Sequence, residues 1–550
     1  MASISMALEG RVAAMSETRG PARPLLGLTI GDLLRRNAQR WPDRPAVVSR
    51  HQDARMTWGE LSEAADRVAR GLWSLGIRQG DRVGIWSTNC IEWIMMHMGC
   101  ARAGAALVNV NPAYRSHELS FTLQRSRMKA LFLWHRDKRA DYAEILDRAR
   151  HGLDLELQHT IFFDGPEWPA LLDAEGRLPD RVAVDDVANI QYTSGTTGHP
   201  KGVMLTHHNV VNNGQFLAHG FHYTEQDKIV VPVPLFHCFG CVIGTMSVVN
   251  SGAAIVLPNW TFDAKATLEA VHHERATSLY GVPAMYVAEF GVPEFASYDL
   301  TGLRTGMMSG APCPIELMKR VLNEMHIREL VIAYGQTETS PVVTMSDAGD
   351  SIEVRVNTVG RAMPQTGIKV MSAATGETLP RGEQGEICVS GYALMKGYDG
   401  DEEGTAKVIQ ADGWLRTGDL GVMREDGCLR ITGRSRDVII RGGENIYPRE
   451  VEEFLYTHPK VGEVQVVGIP HERLGEIVVA WVRLRPGAEA TEEEIRAWCE
   501  GQIAYYKIPE HIRFVTEFPA TLSGKIQKYK MREFEIEARG LQDVAKTATA

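Results

Sequence analysis

The chain is predicted to be an α/β protein in two parts, a large N-terminal one and a small C-terminal one. Three observations predict this. Strand-like apolar runs alternate with segments of helical spacing up to about residue 365. Beyond that point the texture turns to short β segments between Gly- and Asp-rich turns. A polar break, GRSRD at 433–437, then precedes a compact α+β unit. With 550 residues, 44% of them hydrophobic, the chain exceeds one core.

The elements follow in order. Residues 29–41 have helical spacing, with Ile30, Leu33 and Leu34 apolar and Asp32 in the first turn. Residues 46–48 read as a short strand. Residues 57–75 open with Thr57 as N-cap and Glu60 three residues on, so that hydroxyl and carboxylate each satisfy an orphan N–H. Leu61, Ala65, Val68 and Leu72 then share one face. Residues 81–86 have a buried-strand pattern, a helix follows from about Ile91, and 107–110 returns as a strand. Strands are expected again at 130–134, 160–163, 228–232, 254–257 and 278–280. Such alternation argues for a largely parallel sheet architecture. Segments 367–371, 385–389 and 427–431 form a β-rich subdomain. The last unit is expected as helix 448–457, strands 464–467 and 476–483, helix 491–504 and strand 511–514. The predicted division is a variable or disordered N-terminus at 1–28, a main domain at 29–435, a small domain at 436–540 hinged at 436–437, and a tail at 541–550.

Composition excludes several classes. A formal net charge of −10 leaves no global basic field for nucleic acid. Eight scattered cysteines are too sparse for a disulfide scaffold and fit a reducing compartment. Cys238 and Cys241 form a C-x-x-C beside His237, but no second ligand pair stands at zinc spacing, so a packing role is expected. No apolar run approaches the ~18–20 residues of a membrane-spanning helix. The N-terminus lacks a sustained apolar region, so a secretory signal is not expected. Arg11, Arg19 and Arg23 leave an organellar transit peptide open, while Glu9 and Glu17 argue against it, and Met15 is an alternative start. A cytoplasmic location is expected, or the mitochondrial matrix in a eukaryote.

Chemistry concentrates at 192–203, YTSGTTGHPKGV. Glycines let a backbone turn tightly and bring its N–H groups to an anion, hydroxyls add donors and Lys201 adds charge. The loop suits a polyphosphate, although a polar surface turn has the same composition. It is not a Walker A loop, because Lys201 follows Pro200 and precedes Gly202 instead of Ser or Thr. Five further stretches join it: YGQTETSP at 334–341, WLRTGD at 414–419, GRSRD at 433–437, RGGENIYP at 441–448 and SGKIQK at 523–528.

In this order and at these separations the stretches resemble the adenylate-forming acyl-CoA synthetase superfamily. That superfamily also includes luciferases and peptide synthetase adenylation domains. The resemblance runs from about residue 30 to 538. VNPAY at 110–114, with 441–448 and 523–528, most resembles the medium-chain synthetases of the mitochondrial family-member-2 type. It implies a two-step reaction. A carboxylate attacks the α-phosphate of ATP to give acyl-AMP and pyrophosphate, and the thiol of CoA then displaces AMP. Both steps depend on positioning and on managing charge.

The same resemblance assigns residues. Thr193, Ser194, Gly195, Thr196, Thr197, Gly198, His199, Pro200 and Lys201 would cradle the β- and γ-phosphates. Tyr334 would lie against adenine, with Gly310, Ala311 and Pro312 lining the slot and Gly335 also among the nucleotide-binding residues. Thr337 would bond the α-phosphate, and Glu338 would bind Mg²⁺, which prefers oxygen donors and retains waters beside phosphates. Asp419 would accept from the ribose hydroxyls and Arg434 would donate to the same sugar. Lys525 would neutralise the approaching carboxylate and α-phosphate in the first step. His237 would sit by the acyl carboxylate and help gate the acyl tunnel. Outside their motifs these side chains read as a capping glutamate, a turn aspartate, a solvated lysine and a core histidine.

The small domain would dock for the first step and rotate about 436–437, bringing Gly442, Gly443 and Glu444 to the site for the second. Many family members have Lys where this chain has Arg436. The expected partners are a small carboxylic acid, ATP and CoA, with a homodimer left open. A medium-chain fatty acid is the first expectation; a branched, thioether or aryl acid is the alternative. An amino-acid-loading adenylation domain is disfavoured because 234–240, PLFHCFG, offers no acid for a substrate ammonium. A non-catalytic ATP-binding module is disfavoured because Lys525, Glu338 and Asp419 are all present.

Overall fold

Two seven-stranded sheets carry the large domain in the computed structural model, which describes residues 14–193, 200–310, 313, 315–441, 444–471, 473–500, 502–521 and 524–542. The first sheet runs Glu329–Val331, Thr305–Met308, Ser278–Gly281, Lys228–Val230, Ala254–Leu257, Pro45–Ser49 and Ala54–Thr57. Its pairings are parallel except the last. The second runs Gly397–Tyr398, Lys201–Thr206, Val187–Thr193, Ala106–Val110, Arg82–Trp86, Ala130–Leu133 and His159–Phe162. It is parallel from Val187–Thr193 onward. Strands buried on both faces must be apolar throughout, as Ala106–Val110 nearly is. The helix Ile91–Ala103 is buried at every position except Glu92, as a helix apolar all round must be.

The capping box expected at Thr57 forms, and Thr29 makes a second one. Thr29 caps the helix Ile30–Arg40 with Asp32, and Thr57 caps Trp58–Ser74 with Glu60. The β-rich subdomain is a five-stranded sheet in the order Glu17–Arg19, Thr366–Met371, Gln384–Gly391, Leu415–Met423 and Leu429–Arg434. Its first strand corrects the expectation of a variable or disordered N-terminus through residue 28. Glu17 lies opposite Lys369, and Ser16 is fully buried. Three polar residues pair here through the backbone ladder alone, which no side-chain period announces.

The small domain has its own sheet, with Val461–His471, Gly475–Leu484, Ile439–Arg441 and Glu444–Ile446 in antiparallel order and His511–Phe514 parallel to Gly475–Leu484. Helices Pro448–Leu455, Glu492–Cys499 and Lys528–Ala538 accompany it. Ile439, Val451, Leu455, Val464, Val466, Val478 and Ile495 form a separate core. The helix expected to reach 504 stops at Cys499, where Glu500 turns extended just before Gly501. Among the described residues no helix is long and apolar enough to cross a membrane. All eight cysteines are free thiols.

Candidate active site

The loop expected to hold phosphate lies between two antiparallel strands. Val187–Thr193 and Lys201–Thr206 pair with Thr193 opposite Lys201. The expected cradle residues Ser194, Gly195, Thr196, Thr197, Gly198 and His199 lie outside the described residues. Lys201 opens the second strand after Pro200, with its Nζ 3.6 Å from Asp401 Oδ2 and 4.6 Å from the centre of the Tyr398 ring. Tyr398 reaches this place because Gly397–Tyr398 pairs with Val203 and Met204 on the same strand. Its buried hydroxyl donates to Glu338 Oε1 at 2.9 Å. Burial, then the Glu338 charge, push this phenol well up, so it stays a protonated donor.

Glu338 sits in the 3₁₀ turn Thr337–Thr339, and its backbone carbonyl accepts from Met395 N–H at 2.9 Å. Among the described residues no group of three His, Cys, Asp or Glu can hold a metal. A single carboxylate in a hydroxyl-rich turn fits Mg²⁺, which takes one or two carboxylates and completes its shell with phosphate oxygens and water.

The residues expected to hold the nucleoside are brought together by strand register. Asp419, in Leu415–Met423, lies opposite Arg434, in Leu429–Arg434. Arg434 Nε donates to Asp419 Oδ1 at 3.1 Å, and the Tyr334 hydroxyl donates to Oδ2 at 2.7 Å. Burial, then Asp419, raise the Tyr334 phenol well above its ordinary value. Gly335 follows because nothing larger fits: a Cβ there would lie 1.7 Å from the Pro341 carbonyl oxygen. Gly310 has φ +87, and a Cβ on it would lie 3.2 Å from Val282 Cγ1. Ala311 and Pro312 are outside the described residues.

The residues expected at the reaction centre come from both domains. His237 precedes a π-helix at Phe239–Gly244, a local distortion found often at functional sites. Phe239 N–H donates to His237 Nδ1 at 3.2 Å, so the ring proton belongs on Nε2. Burial, then the Lys525 charge, lower this imidazole to about 4, which keeps it neutral. Lys525 also bears on the Cys238 thiol, which burial pushes up to about 11. Cys238 Sγ stands 3.7 Å from Thr337 Oγ1. The lysine is held in a tight turn, with Lys525 N–H donating to Thr521 Oγ1 at 3.1 Å and Thr521 N–H to the Lys525 carbonyl at 2.8 Å. Gly524, at φ +79, brings that turn against the large domain; a Cβ on it would lie 2.9 Å from Val282 Cγ2.

The structure thus puts Tyr334 and Arg434 on the Asp419 carboxylate, Tyr398 between Lys201 and Glu338, and Cys238, the neighbour of His237, beside Thr337, with the Lys525 charge bearing on His237. Gly442, Gly443 and the Glu444 side chain lie outside the described residues. The C-x-x-C is a packing feature, with Cys241 Sγ receiving Gln191 Nε2 at 3.2 Å and Asn109 Nδ2 at 3.5 Å. Sequence reasoning missed Tyr398 and Asp401. The run GYDGD at 397–401, an aromatic among acids after a glycine, was the available signal for both.

The sequence profile of the AMP-binding enzymes matches residues 34–399, and that of the AMP-binding enzyme C-terminal domain matches 450–525. YngI of Bacillus subtilis, which carries an acyl-CoA synthetase name, is 45% identical over 93% of this chain and 98% of its own. The bovine mitochondrial medium-chain acyl-CoA ligase ACSF2 is 41% identical over 92% of this chain and 87% of its own. ATP-bound MatB from Rhodopseudomonas palustris superposes with a TM-score of 0.82 at 29% identity, covering 92% of this chain and 99% of its own. The anthranilate CoA ligase AuaEII with anthranoyl-AMP gives 0.84 at 26% identity, covering 93% and 98%.

Proposed function

The chain belongs to the AMP-binding enzymes as an ATP-dependent acyl-CoA ligase, and on that premise we propose that it activates a medium-chain fatty acid through an acyl-adenylate and transfers the acyl group to CoA. The observation that carries this reading is the Lys525 turn of the small domain, lodged against Val282 with its charge acting on His237. That arrangement suits the first half-reaction. An ammonium there lowers the cost of bringing a carboxylate to the α-phosphate, two anions that otherwise repel.

In this reading Lys201 and residues 193–200 hold the pyrophosphate end, and Asp419, Arg434 and Tyr334 hold the nucleoside. Glu338 would supply one oxygen to Mg²⁺, which when bound would shield phosphate charge. The neutral His237, with its proton on Nε2, offers one donor toward the acyl carboxylate and brings no charge of its own. The small domain then turns about 436–437 and presents 442–444 for thioester formation.

Support for an uncharged tail comes from the buried apolar side chains around the site, Phe239, Val242, Val282 and Met285. The medium-chain name of the mammalian relative supports the length. Eight free thiols suit a reducing interior, cytoplasmic or mitochondrial. Pyrophosphate release across C4 to C16 and aryl acids, with and without CoA, tests the proposal. Highest kcat/KM with medium-chain acids and a CoA thioester as product is expected. Preference for an aryl acid overturns the chain-length reading, and acid-dependent pyrophosphate release without thioester overturns the second step.

A further inference from the structure

We propose that Tyr398 is a positioning residue that fixes the metal-binding carboxylate and the phosphate lysine relative to each other, a role that rests on the adenylation reading above. Lys201 Nζ, the Tyr398 ring, the Tyr398 hydroxyl and Glu338 Oε1 form one continuous contact chain, with steps of 4.6 Å to the ring centre and 2.9 Å to the oxygen. Tyr398 is 7% exposed and belongs to a two-residue strand paired directly to the Lys201 strand. The segment just before it holds Glu338 a second time, through Met395 N–H to the Glu338 carbonyl. One short stretch of chain thus grips both the backbone and the carboxylate of Glu338.

Each contact restrains a group that would otherwise wander. A carboxylate that accepts a fixed hydroxyl on one oxygen presents the other in a set direction, and such outer donors tune metal affinity strongly. A lysine has a flexible four-carbon stem. The aromatic face and Asp401 Oδ2, 3.6 Å away, together hold it at the start of the second strand. The rival reading is that Tyr398 only fills the core, in which case phenylalanine would serve equally well.

Tyr398→Phe removes the hydroxyl and keeps the ring; Tyr398→Leu removes both. The probe is α,β-methylene ATP, titrated calorimetrically with and without Mg²⁺. For Tyr398→Phe the affinity gained on adding Mg²⁺ is expected to shrink about tenfold, with metal-free affinity unchanged. Tyr398→Leu is expected to weaken metal-free binding as well. In turnover, Tyr398→Phe should raise KM for ATP·Mg²⁺, leave KM for the acid unmoved, and recover at high Mg²⁺. The role is overturned if Tyr398→Phe keeps the full Mg²⁺-dependent gain, or loses affinity equally with and without the metal. If the wild-type protein takes no nucleotide, the adenylation reading falls and this role falls with it. Nucleotide binding by wild type together with an indifferent Tyr398→Phe removes the Tyr398 role alone.

Discussion

The Tyr334 hydroxyl donates to Asp419 Oδ2 at 2.7 Å while Arg434 Nε occupies Oδ1 at 3.1 Å, so both oxygens of one buried carboxylate are already directed by neighbours. A carboxylate held this way is a ready acceptor for a vicinal diol, and an amide is not. Hydrogen bonds to a charged group contribute about 1.5–3 kcal/mol. Asp419→Asn is therefore expected to lower kcat/KM for ATP about 10- to 100-fold, with KM for the acid changing little. Steady-state kinetics in each substrate checks this. Tyr334→Phe keeps the Arg434 contact and should cost less than Asp419→Asn.

The docking of the small domain makes its own prediction. Alanine at Gly524 would carry a Cβ 2.9 Å from Val282 Cγ2 in a left-handed backbone conformation. Positive φ disfavours any residue with a Cβ. Gly524→Ala should slow acid-dependent pyrophosphate release about tenfold or more. Adding Val282→Ala should restore part of the loss, because it relieves the contact but not the backbone strain. No recovery in the double variant would place the cost in the turn alone.

Two buried groups give opposite pH slopes. Burial lowers His97 to about 3, and its Nδ1 has no partner. Below pH 6.5 the unfolded chain protonates this imidazole and the folded chain does not, so its contribution to stability is lost as pH falls toward the folded value. His97→Gln should flatten the acid loss by up to about 1.4 kcal/mol per pH unit. Glu289 is fully buried with both oxygens unpartnered, and burial raises its carboxyl well above the usual range. Its folded form stays protonated where the unfolded form ionises, so its contribution is present at low pH and lost as pH rises. Glu289→Gln should raise the melting temperature more at pH 8 than at pH 4.5. Melting curves of the three proteins across that range check both signs.

Much of the large domain was legible because its strands are apolar runs and the helix Trp58–Ser74 begins with a capping box. Thr57 with Glu60 is written in four adjacent residues, and the structure forms it unchanged. The strand Glu17–Arg19 was not legible, because its stability comes from the Thr366–Met371 ladder and not from its own side chains. The site divides in the same way. Asp419, Arg434 and Lys525 stand in recognisable motifs, and the folded chain puts Arg434 beside Asp419. Tyr398 lies in a run that names no chemistry by itself. Its importance arises only when strand pairing sets it between Lys201 and Glu338, two residues far apart in sequence.

The central claim is that Lys525, carried by the small domain, completes the adenylation site. The most direct test separates the half-reactions in Lys525→Ala: acid-dependent pyrophosphate release on one side, and thioester formation from supplied acyl-AMP and CoA on the other. The claim predicts a loss of about a hundredfold or more in the first, equal to nearly 3 kcal/mol of transition-state stabilisation, and near-wild-type rates in the second. Equal loss in both, or undiminished pyrophosphate release, would contradict it.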